Sequence, residues 1–487
     1  MARKLTRRLS SVELFALIDL QGLKGKESSR VTDKRTMIIF GATGDLSARL
    51  LLPGLGTFLQ SGRSVPVHLI GTGRSERTPE QWKGVVKKSF ATQNVEGPEV
   101  DATLGSTVFI QGDPADPRHL QKLLDAAEAS PVLYFALPPQ ATSDLCDALQ
   151  HVDLPEGTTL AFEKPFGTDV ASVAALNKTV LALVPEERVH RTDHFLGRTT
   201  VLNIIGLRFA NRLFEPIWNA DNIEKVDVFY DETLGLENRA QYYDEAGALV
   251  DMIQSHLLQI LGLVTMDAPS AIDAVEFRSS LARVLRSTRL KGGDPRTASR
   301  RAVYTAGTIN GRELPSYQSE DGVDASRQTD TLAEIEVEVD TARWKGVPFT
   351  LRSGKALGAS RKEVLITFKP VTRLPSGLTG GPKTDTLRIV LNPDEIELTV
   401  SANGGGNPFE MGQVTLSSSF GDGELTPYGE VLNGIFHDDP LLSIRGDVAE
   451  RCWEIVGPVV QAWQANEVPL EKYRAGSRGP AGWESSY

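Results

Sequence analysis

The stretch Met37-Ile-Ile-Phe-Gly41-Ala-Thr-Gly44-Asp45-Leu46 decides the fold class, because a short apolar run leads directly into a glycine turn. Such a run is typical of a buried parallel strand, and the two glycines let backbone N–H groups approach a pyrophosphate where the next helix begins. Further short apolar runs, separated by stretches of helical character, lie at residues 67–71, 107–111, 132–137 and 159–162. This alternation predicts βαβ units and a parallel sheet as far as about residue 192.

Beyond that point the chain has a different pattern. Short apolar runs follow one another with turn signals between them, at residues 226–230, 332–339, 349–352, 364–368, 387–391 and 396–400. Closely spaced strands of this kind are typical of an antiparallel sheet in an α+β domain. We therefore predict a flexible N-terminal arm over residues 1–35, an α/β Rossmann-like dinucleotide-binding domain over residues 36–192, and a larger α+β domain with a mainly antiparallel sheet over residues 193–487.

The composition is that of a globular protein, with 487 residues of which 40% are hydrophobic and 24% charged. A net charge of −11 without a basic stripe argues against a nucleic acid or a membrane surface as partner. No apolar run approaches the ~18 residues that a membrane span needs. Two distant cysteines, Cys146 and Cys452, indicate a reducing compartment, so we expect a cytoplasmic protein without a metal site. The basic residues near the start of the chain leave a targeting segment open as an alternative to the arm.

Two features predict a dinucleotide site and bear on which dinucleotide it takes. The Gly41-Ala-Thr-Gly44 turn is shorter than the full Gly-x-Gly-x-x-Gly fingerprint, and a purely structural turn is the alternative. The second apolar run ends in Gly71-Thr-Gly-Arg74, with no carboxylate before Glu76. An acidic residue there would bind a ribose 2′-hydroxyl, whereas an arginine can bind a 2′-phosphate. We therefore favour NADP over NAD, the alternative being that Arg74 is a solvated surface residue.

A small set of residues predicts proton transfer. Lys164 follows the apolar run at residues 159–162, so it would reach the crevice at the carboxyl edge of the sheet unless it is merely solvated. His256 lies on an apolar-periodic helix, where Asp251, five residues before it, would be offset by ~140°. We therefore expect Asp193, from elsewhere in the chain, to orient His256 as a general base. A buried structural histidine is the alternative.

Short motifs recur through the chain in a fixed order. They are Gly41-Ala-Thr-Gly-Asp-Leu46, Glu163-Lys-Pro-Phe-Gly167, Asp193-His-Phe-Leu-Gly197, Leu207-Arg-Phe-Ala-Asn-Arg212, Pro216-Ile-Trp-Asn219, Gln254-Ser-His-Leu-Leu-Gln259 after Asp251, Arg343-Trp with Gly346-Val-Pro-Phe349, Arg352-Ser-Gly-Lys-Ala-Leu357 and Tyr473-Arg-Ala-Gly-Ser-Arg-Gly-Pro480. In this order they resemble the glucose-6-phosphate dehydrogenase family over about residues 36–480. The resemblance extends over both predicted domains.

The resemblance implies oxidation of the C1 hydroxyl of β-D-glucose 6-phosphate to 6-phosphoglucono-δ-lactone with hydride transfer to NADP, the first step of the oxidative pentose phosphate pathway. It implies that the larger domain binds the substrate and forms a homodimer or homotetramer. By position it makes His256 the general base and Asp193 the group that stabilises the imidazolium. The other implied roles are substrate binding by Lys164, His194, Phe195, Arg198, Glu232, Asp251 and Lys355, and coenzyme binding by Gly41, Thr43, Gly44, Asp45, Leu46, Arg74 and Lys164.

Three residues depart from the family pattern. Where the family has Asp-His-Tyr-Leu-Gly-Lys-Glu, this chain has Asp193-His-Phe-Leu-Gly-Arg-Thr199. Phe195 lacks a phenolic hydroxyl, Arg198 replaces a compact ammonium with a wider fork, and Thr199 removes a carboxylate. Two alternatives therefore stay open, a dehydrogenase of another 6-substituted aldose such as a sulfo-sugar, and a catalytically weak coenzyme-binding homologue.

Overall fold

The computed structural model describes residues 34–483 except residues 238–239, 382, 404–405 and 422. The predicted N-terminal arm lies outside the described residues apart from its last two positions, Lys34 and Arg35. The strands, in chain order, are β1 Arg35–Phe40, β2 Val67–Gly73, β3 Val108–Gln111, β4 Pro131–Phe135, β5 Thr159–Phe162, β6 Val189–Thr192, β7 Ile223–Asp231, β8 Thr288–Leu290, β9 Ser299–Thr305, β10 Gly307–Ile309, β11 Arg312–Leu314, β12 Leu332–Val339, β13 Phe349–Gly354, β14 Arg361–Phe368, β15 Thr386–Leu391, β16 Asp394–Asn403, β17 Met411–Ser419, β18 Ser443–Ile444 and β19 Leu470–Arg474.

The helices fill most of the connections in the first half of the chain. The α-helices are α1 Leu52–Gln60, α2 Pro79–Ala91, α3 Pro98–Ser106, α4 Pro117–Asp125, α5 Pro139–Leu149, α6 Val170–Leu183, α7 Thr199–Phe209, α8 Ala240–Ala248, α9 Leu258–Thr265, α10 Glu276–Arg286, α11 Pro295–Ala298, α12 Pro427–Phe436 and α13 Gly446–Gln464. Two segments are π-helical, Ser47–Leu51 and Leu249–Leu257, and 3₁₀ turns lie at Glu186–Arg188, Glu215–Ile217, Lys291–Gly293, Tyr317–Ser319, Ala325–Arg327 and Pro440–Leu442. Capping side chains fix the first residues of several helices. Thr78, Asp169 and Thr426 each accept the backbone N–H three residues on, which satisfies an otherwise unpaired donor.

Seven strands form one sheet in the order β18-β6-β5-β4-β1-β2-β3. Six of them run parallel, and β18 joins the edge antiparallel to β6. Every residue of β1, β4, β5 and β6 is buried, as expected for a parallel sheet covered by helices on both faces. The predicted α/β Rossmann-like fold is confirmed.

Ten strands form a second sheet, in the order β17-β16-β15-β14-β7-β13-β12-β9-β19 with β8 paired to β12. Its neighbours are antiparallel except for the pairs β7 with β13 and β9 with β19. The prediction of a second, mainly antiparallel sheet is therefore confirmed. The strands β10 and β11 form a separate hairpin.

The helical run Tyr242–Thr265 forms the centre of the core. It packs against β12, β13 and α13. By length and composition it could cross a membrane, but 94% of its most apolar window is buried, which is the placement of a core helix. Gly247 has a φ of 63°, and a Cβ there would clash with Asp330, so only glycine allows the bend that precedes the π-helical segment.

Candidate active site

The predicted site residues follow four strands of the two sheets. Lys164 lies two residues after β5 and Asp193 directly after β6, while Glu232 directly follows β7 and Lys355 directly follows β13. Because β5 and β6 are parallel neighbours, and β7 and β13 are as well, each pair of side chains starts from the carboxyl edge of its sheet. The run Tyr242–Thr265 connects them, since it packs on β13 and its side chains bond to Lys164 and Asp193.

His256 and Asp193 form a buried dyad. Their Nδ1 and Oδ1 atoms are 2.6 Å apart, and the same oxygen accepts the N–H of Phe195 at 2.8 Å. Because a carboxylate oxygen only accepts, the proton lies on Nδ1 and the lone pair is on Nε2. Among the described residues Nε2 has no hydrogen-bond partner. Burial lowers the pKa of His256, and the carboxylate of Asp193 opposes that shift. A neutral imidazole with a free Nε2 can accept a proton.

Asp251 and His256 lie in the π-helical segment Leu249–Leu257, not in an α-helix. An i→i+5 repeat brings residues five apart to nearly the same side, so the α-helical offset assumed from the sequence is wrong for this pair. His256 nevertheless bonds to Asp193, as expected, because Asp251 is held by other groups.

Lys164 and Asp251 form a buried ion pair. The ammonium donates to the carboxylate Oδ1 and to the backbone carbonyl of Asp251, both at 2.8 Å. Burial alone would raise the pKa of Asp251, but Lys164 outweighs it and holds that pKa below its usual value. Burial also opposes the charge on Lys164, yet Asp251 raises its pKa. Both groups are therefore charged, and Tyr242 adds a hydroxyl 3.3 Å from Oδ1 of Asp251.

Glu232 is clamped between two lysines. Lys355 donates to one carboxylate oxygen and Lys362 to the other, each at 3.0 Å. Burial would raise the pKa of Glu232, but the two ammonium groups outweigh it and keep that pKa low. Lys362 was not predicted from the sequence. It lies opposite Tyr230 in the β14–β7 register, and this pairing could not be read from the chain before the sheet order was known.

Three of the residues predicted to bind the substrate, His194, Phe195 and Arg198, lie around the dyad. The Phe195 ring is stacked on His256, with centroids 4.1 Å apart, and His194 meets His256 edge-on at 5.0 Å. Burial holds the pKa of His194 well below its usual range, so this ring is neutral at pH 7. Arg198 supplies the positive charge, with its guanidinium 5.0 Å from the Phe195 ring and one N–H donated to the carbonyl of Leu391.

Three of these side chains are close enough to raise the question of a metal. Asp193, His194 and His256 each offer a ligand atom within 4.8 Å of the others. The hydrogen bond between Asp193 and His256 already explains their approach. The expectation that no metal takes part stays a prediction.

The coenzyme residues divide into two groups. A cavity of about 180 Å³ at the carboxyl ends of β1 and β2 is lined by Gly41, Thr43 and Arg74, with other residues. Gly41 has a φ of 80°, and a Cβ there would clash with the Ala136 carbonyl, so the turn requires glycine. Gly44, Asp45 and Leu46 do not line this cavity. Gly44 closes the turn by donating to the carbonyl of Gly41, and the exposed Asp45 bonds to Arg49 in the following helix.

The chain is similar to known proteins both in sequence and in structure. A family model described as "Glucose-6-phosphate dehydrogenase, NAD binding domain" matches residues 38–203, and one described as "Glucose-6-phosphate dehydrogenase, C-terminal domain" matches residues 205–486. A glucose-6-phosphate 1-dehydrogenase of Gluconobacter oxydans (strain 621H) is 37% identical over 465 residues, covering 91% of this chain and 94% of that protein. One of Rhizobium meliloti (strain 1021) is 32% identical, with the same coverage.

Two solved structures agree with these sequence matches. A glucose-6-phosphate dehydrogenase in complex with its substrate glucose 6-phosphate superposes with a TM-score of 0.82 at 27% identity, covering 92% of this chain and 96% of that one. The glucose-6-phosphate 1-dehydrogenase of Mycobacterium avium gives a TM-score of 0.79 at 29% identity, with 93% and 98% covered.

Proposed function

Because the chain belongs to the glucose-6-phosphate dehydrogenase family, we propose that it oxidises D-glucose 6-phosphate at C1 to 6-phospho-D-glucono-1,5-lactone and reduces NADP to NADPH. The observation that carries the proposal is the Asp193–His256 dyad, in which Nε2 of His256 has no hydrogen-bond partner among the described residues. Relatives named for this activity make glucose 6-phosphate a better candidate than another 6-substituted aldose.

The chain's own residues account for the proton and for orientation. Nε2 of His256 takes the proton of the C1 hydroxyl, and Asp193 stabilises the imidazolium that forms. Lys164 and Asp251 hold sugar hydroxyls beside the base, as Glu232 and Lys355 do from the second sheet. Arg198 with His194 binds the anionic group. When bound, the nicotinamide coenzyme supplies the hydride acceptor.

NADP is the coenzyme we propose because Arg74 is, among the residues that the structure describes, the one charged residue that lines the β1–β2 cavity. Arg74→Ala is expected to raise the KM for NADP by about 10- to 100-fold, the effect of losing hydrogen bonds to a charged group, while the KM for NAD changes little. Initial rates at varied concentrations of each coenzyme measure the two KM values. The matched control is Arg77→Ala, since Arg77 is exposed and does not line the cavity. Equal losses with NADP and NAD would contradict the assignment.

His194 tests the anion site. His194→Ala is expected to raise the KM for glucose 6-phosphate by about 10-fold or more and to leave the slow turnover of free glucose unchanged, because only the phosphorylated sugar needs this contact. The exposed His151 gives the control His151→Ala, for which both values should stay at wild-type level. A matching loss with free glucose would place the role of His194 in the chemical step instead.

We further propose a homodimer or homotetramer in the cytoplasm. The cross-strand pairs Leu398 with Leu416 and Val400 with Val414 lie on one face of the β16–β17 edge, and Leu416 is 58% exposed. An apolar sheet face of this kind is typical of a subunit interface. Two buried free cysteines agree with a reducing compartment. Light scattering should return a mass of two or four chains, and Leu416→Glu should lower it.

A further inference from the structure

A buried carboxyl group lies beside the site without a role in the chemistry described so far. Glu163 follows β5 and precedes Lys164. Two tyrosine hydroxyls donate to its two oxygens, Tyr134 from β4 at 2.5 Å and Tyr428 from α12 at 3.4 Å. Burial raises the pKa of Glu163 to about 7, against the hydrogen bonds that lower it, so this carboxyl is desolvated and depends on these two partners.

The two tyrosines differ in what else they contact. Tyr134 lies within the buried strand β4, in the middle of the parallel sheet. The ring of Tyr428 is stacked on the imidazole of His194, with centroids 5.4 Å apart and planes 12° from parallel. His194 in turn meets His256 edge-on. A line of contacts therefore runs from Glu163 through Tyr428 to His194, whereas the contact with Tyr134 stays inside the sheet.

The Tyr428 ring is also confined from behind. A Cβ at Gly54 of α1 would clash with the Cβ of Tyr428, so the two helices approach closely at this point. With the backbone fixed there, the remaining freedom of Tyr428 is rotation of its side chain, and the hydrogen bond to Glu163 limits that rotation.

We propose that Glu163 is a positioning residue, which acts through Tyr428 to fix the plane of the His194 ring and thereby the geometry of the anion site. This inference rests on the proposed function, because it concerns how the phosphate of the sugar is held. Glu163 does not touch the reacting atoms, so its loss acts on binding of the sugar phosphate rather than on proton transfer.

The test is a double-mutant cycle with a matched control. Tyr428→Phe keeps the stacked ring and removes the hydroxyl, and Glu163→Gln keeps the size and removes the charge. Each is expected to raise the KM for glucose 6-phosphate about five-fold, with kcat and the KM for NADP within about two-fold of wild type. The KM of the double variant for glucose 6-phosphate should not exceed the higher of the two single-variant values, because both changes break the same line of contacts.

Tyr134→Phe is the control, since it removes the other hydrogen bond to the same carboxyl and keeps the hydrogen bond between Tyr428 and Glu163, which is the one that continues to His194. We expect it to lower the melting temperature and leave the KM for glucose 6-phosphate unchanged. The inference would be overturned if the two single increases in KM multiplied in the double variant, or if Tyr134→Phe raised the KM for glucose 6-phosphate as much as they do. Turnover of glucose 6-phosphate by the wild type would still uphold the proposed function in either case. A wild-type protein without turnover of glucose 6-phosphate would overturn both.

Discussion

The His256→Asn variant is expected to lose about 10²- to 10⁴-fold in kcat, the range that a positioned general base contributes. Asparagine is close in size to histidine and can still donate an N–H to Oδ1 of Asp193, so the packing of the pocket is retained. It has no basic nitrogen where Nε2 stands, so the C1 proton has no acceptor. Because the base acts in the chemical step, the KM values for the sugar phosphate and for NADP should stay near those of the wild type.

Single-turnover kinetics with saturating substrates measure this loss without interference from product release. His190→Asn is the control, because His190 is also buried but bonds to Ser443 within the parallel sheet, away from the candidate site. That variant should unfold at a lower temperature and keep its kcat within about two-fold of the wild type. Wild-type turnover by His256→Asn would mean that another group removes the proton.

The Asp193→Asn variant has the second largest expected effect, a loss of about 10²- to 10³-fold in kcat. The carboxylate holds the proton of His256 on Nδ1 and stabilises the imidazolium that forms during the reaction. An amide in its place carries no charge and can present its own N–H to the ring, which favours the tautomer with the proton on Nε2.

The pH profile of this variant follows from the direction in which Asp193 shifts the pKa of His256. Burial lowers the pKa of His256 and Asp193 raises it, so removing the carboxylate lowers this pKa further. The base is active only when neutral, and the acidic limb of kcat/KM should therefore move to lower pH in Asp193→Asn. An acidic limb that stays in place, or moves up, would contradict the dyad.

A suitable control for Asp193→Asn is Asp438→Asn. Asp438 accepts hydrogen bonds from Arg35 and Thr159 at the amino edge of the parallel sheet, opposite the site. Its φ of 54° is one that asparagine tolerates, so the substitution removes the ion pairs with Arg35 and Arg188 without adding backbone strain. We expect lower stability with unchanged kcat and an unchanged pH profile.

Much of the fold could be predicted because its signals are local. The run at residues 37–40 and the glycine turn after it lie next to each other in the sequence, and the steric demand at Gly41 explains why glycine is needed there. The pairing of Asp193 with His256 could also be predicted, since His256 is one of only seven histidines in the chain and Asp193 lies beside another, His194. The resemblance to a family then placed Glu232 and Lys355, which no local pattern singles out.

The remaining features depend on contacts between distant segments. The π-helix at Leu249–Leu257 follows a bend at Gly247 that is fixed by Asp330, eighty-three residues later in the chain. Tyr428 stacks on His194 although 234 positions separate them. No periodicity or motif in the sequence indicates either contact, so the π-helix and the partners of Glu163 could be identified only from the folded structure.

The proposed function is best tested by the initial rate of reduced coenzyme formation with glucose 6-phosphate, beside free glucose and a 6-sulfo analogue, each with NADP and with NAD. We expect rapid turnover of glucose 6-phosphate, much slower turnover of glucose and of the sulfonate, and a higher kcat/KM with NADP than with NAD. No turnover of glucose 6-phosphate with either coenzyme, or turnover of the sulfonate alone, would contradict the proposed function.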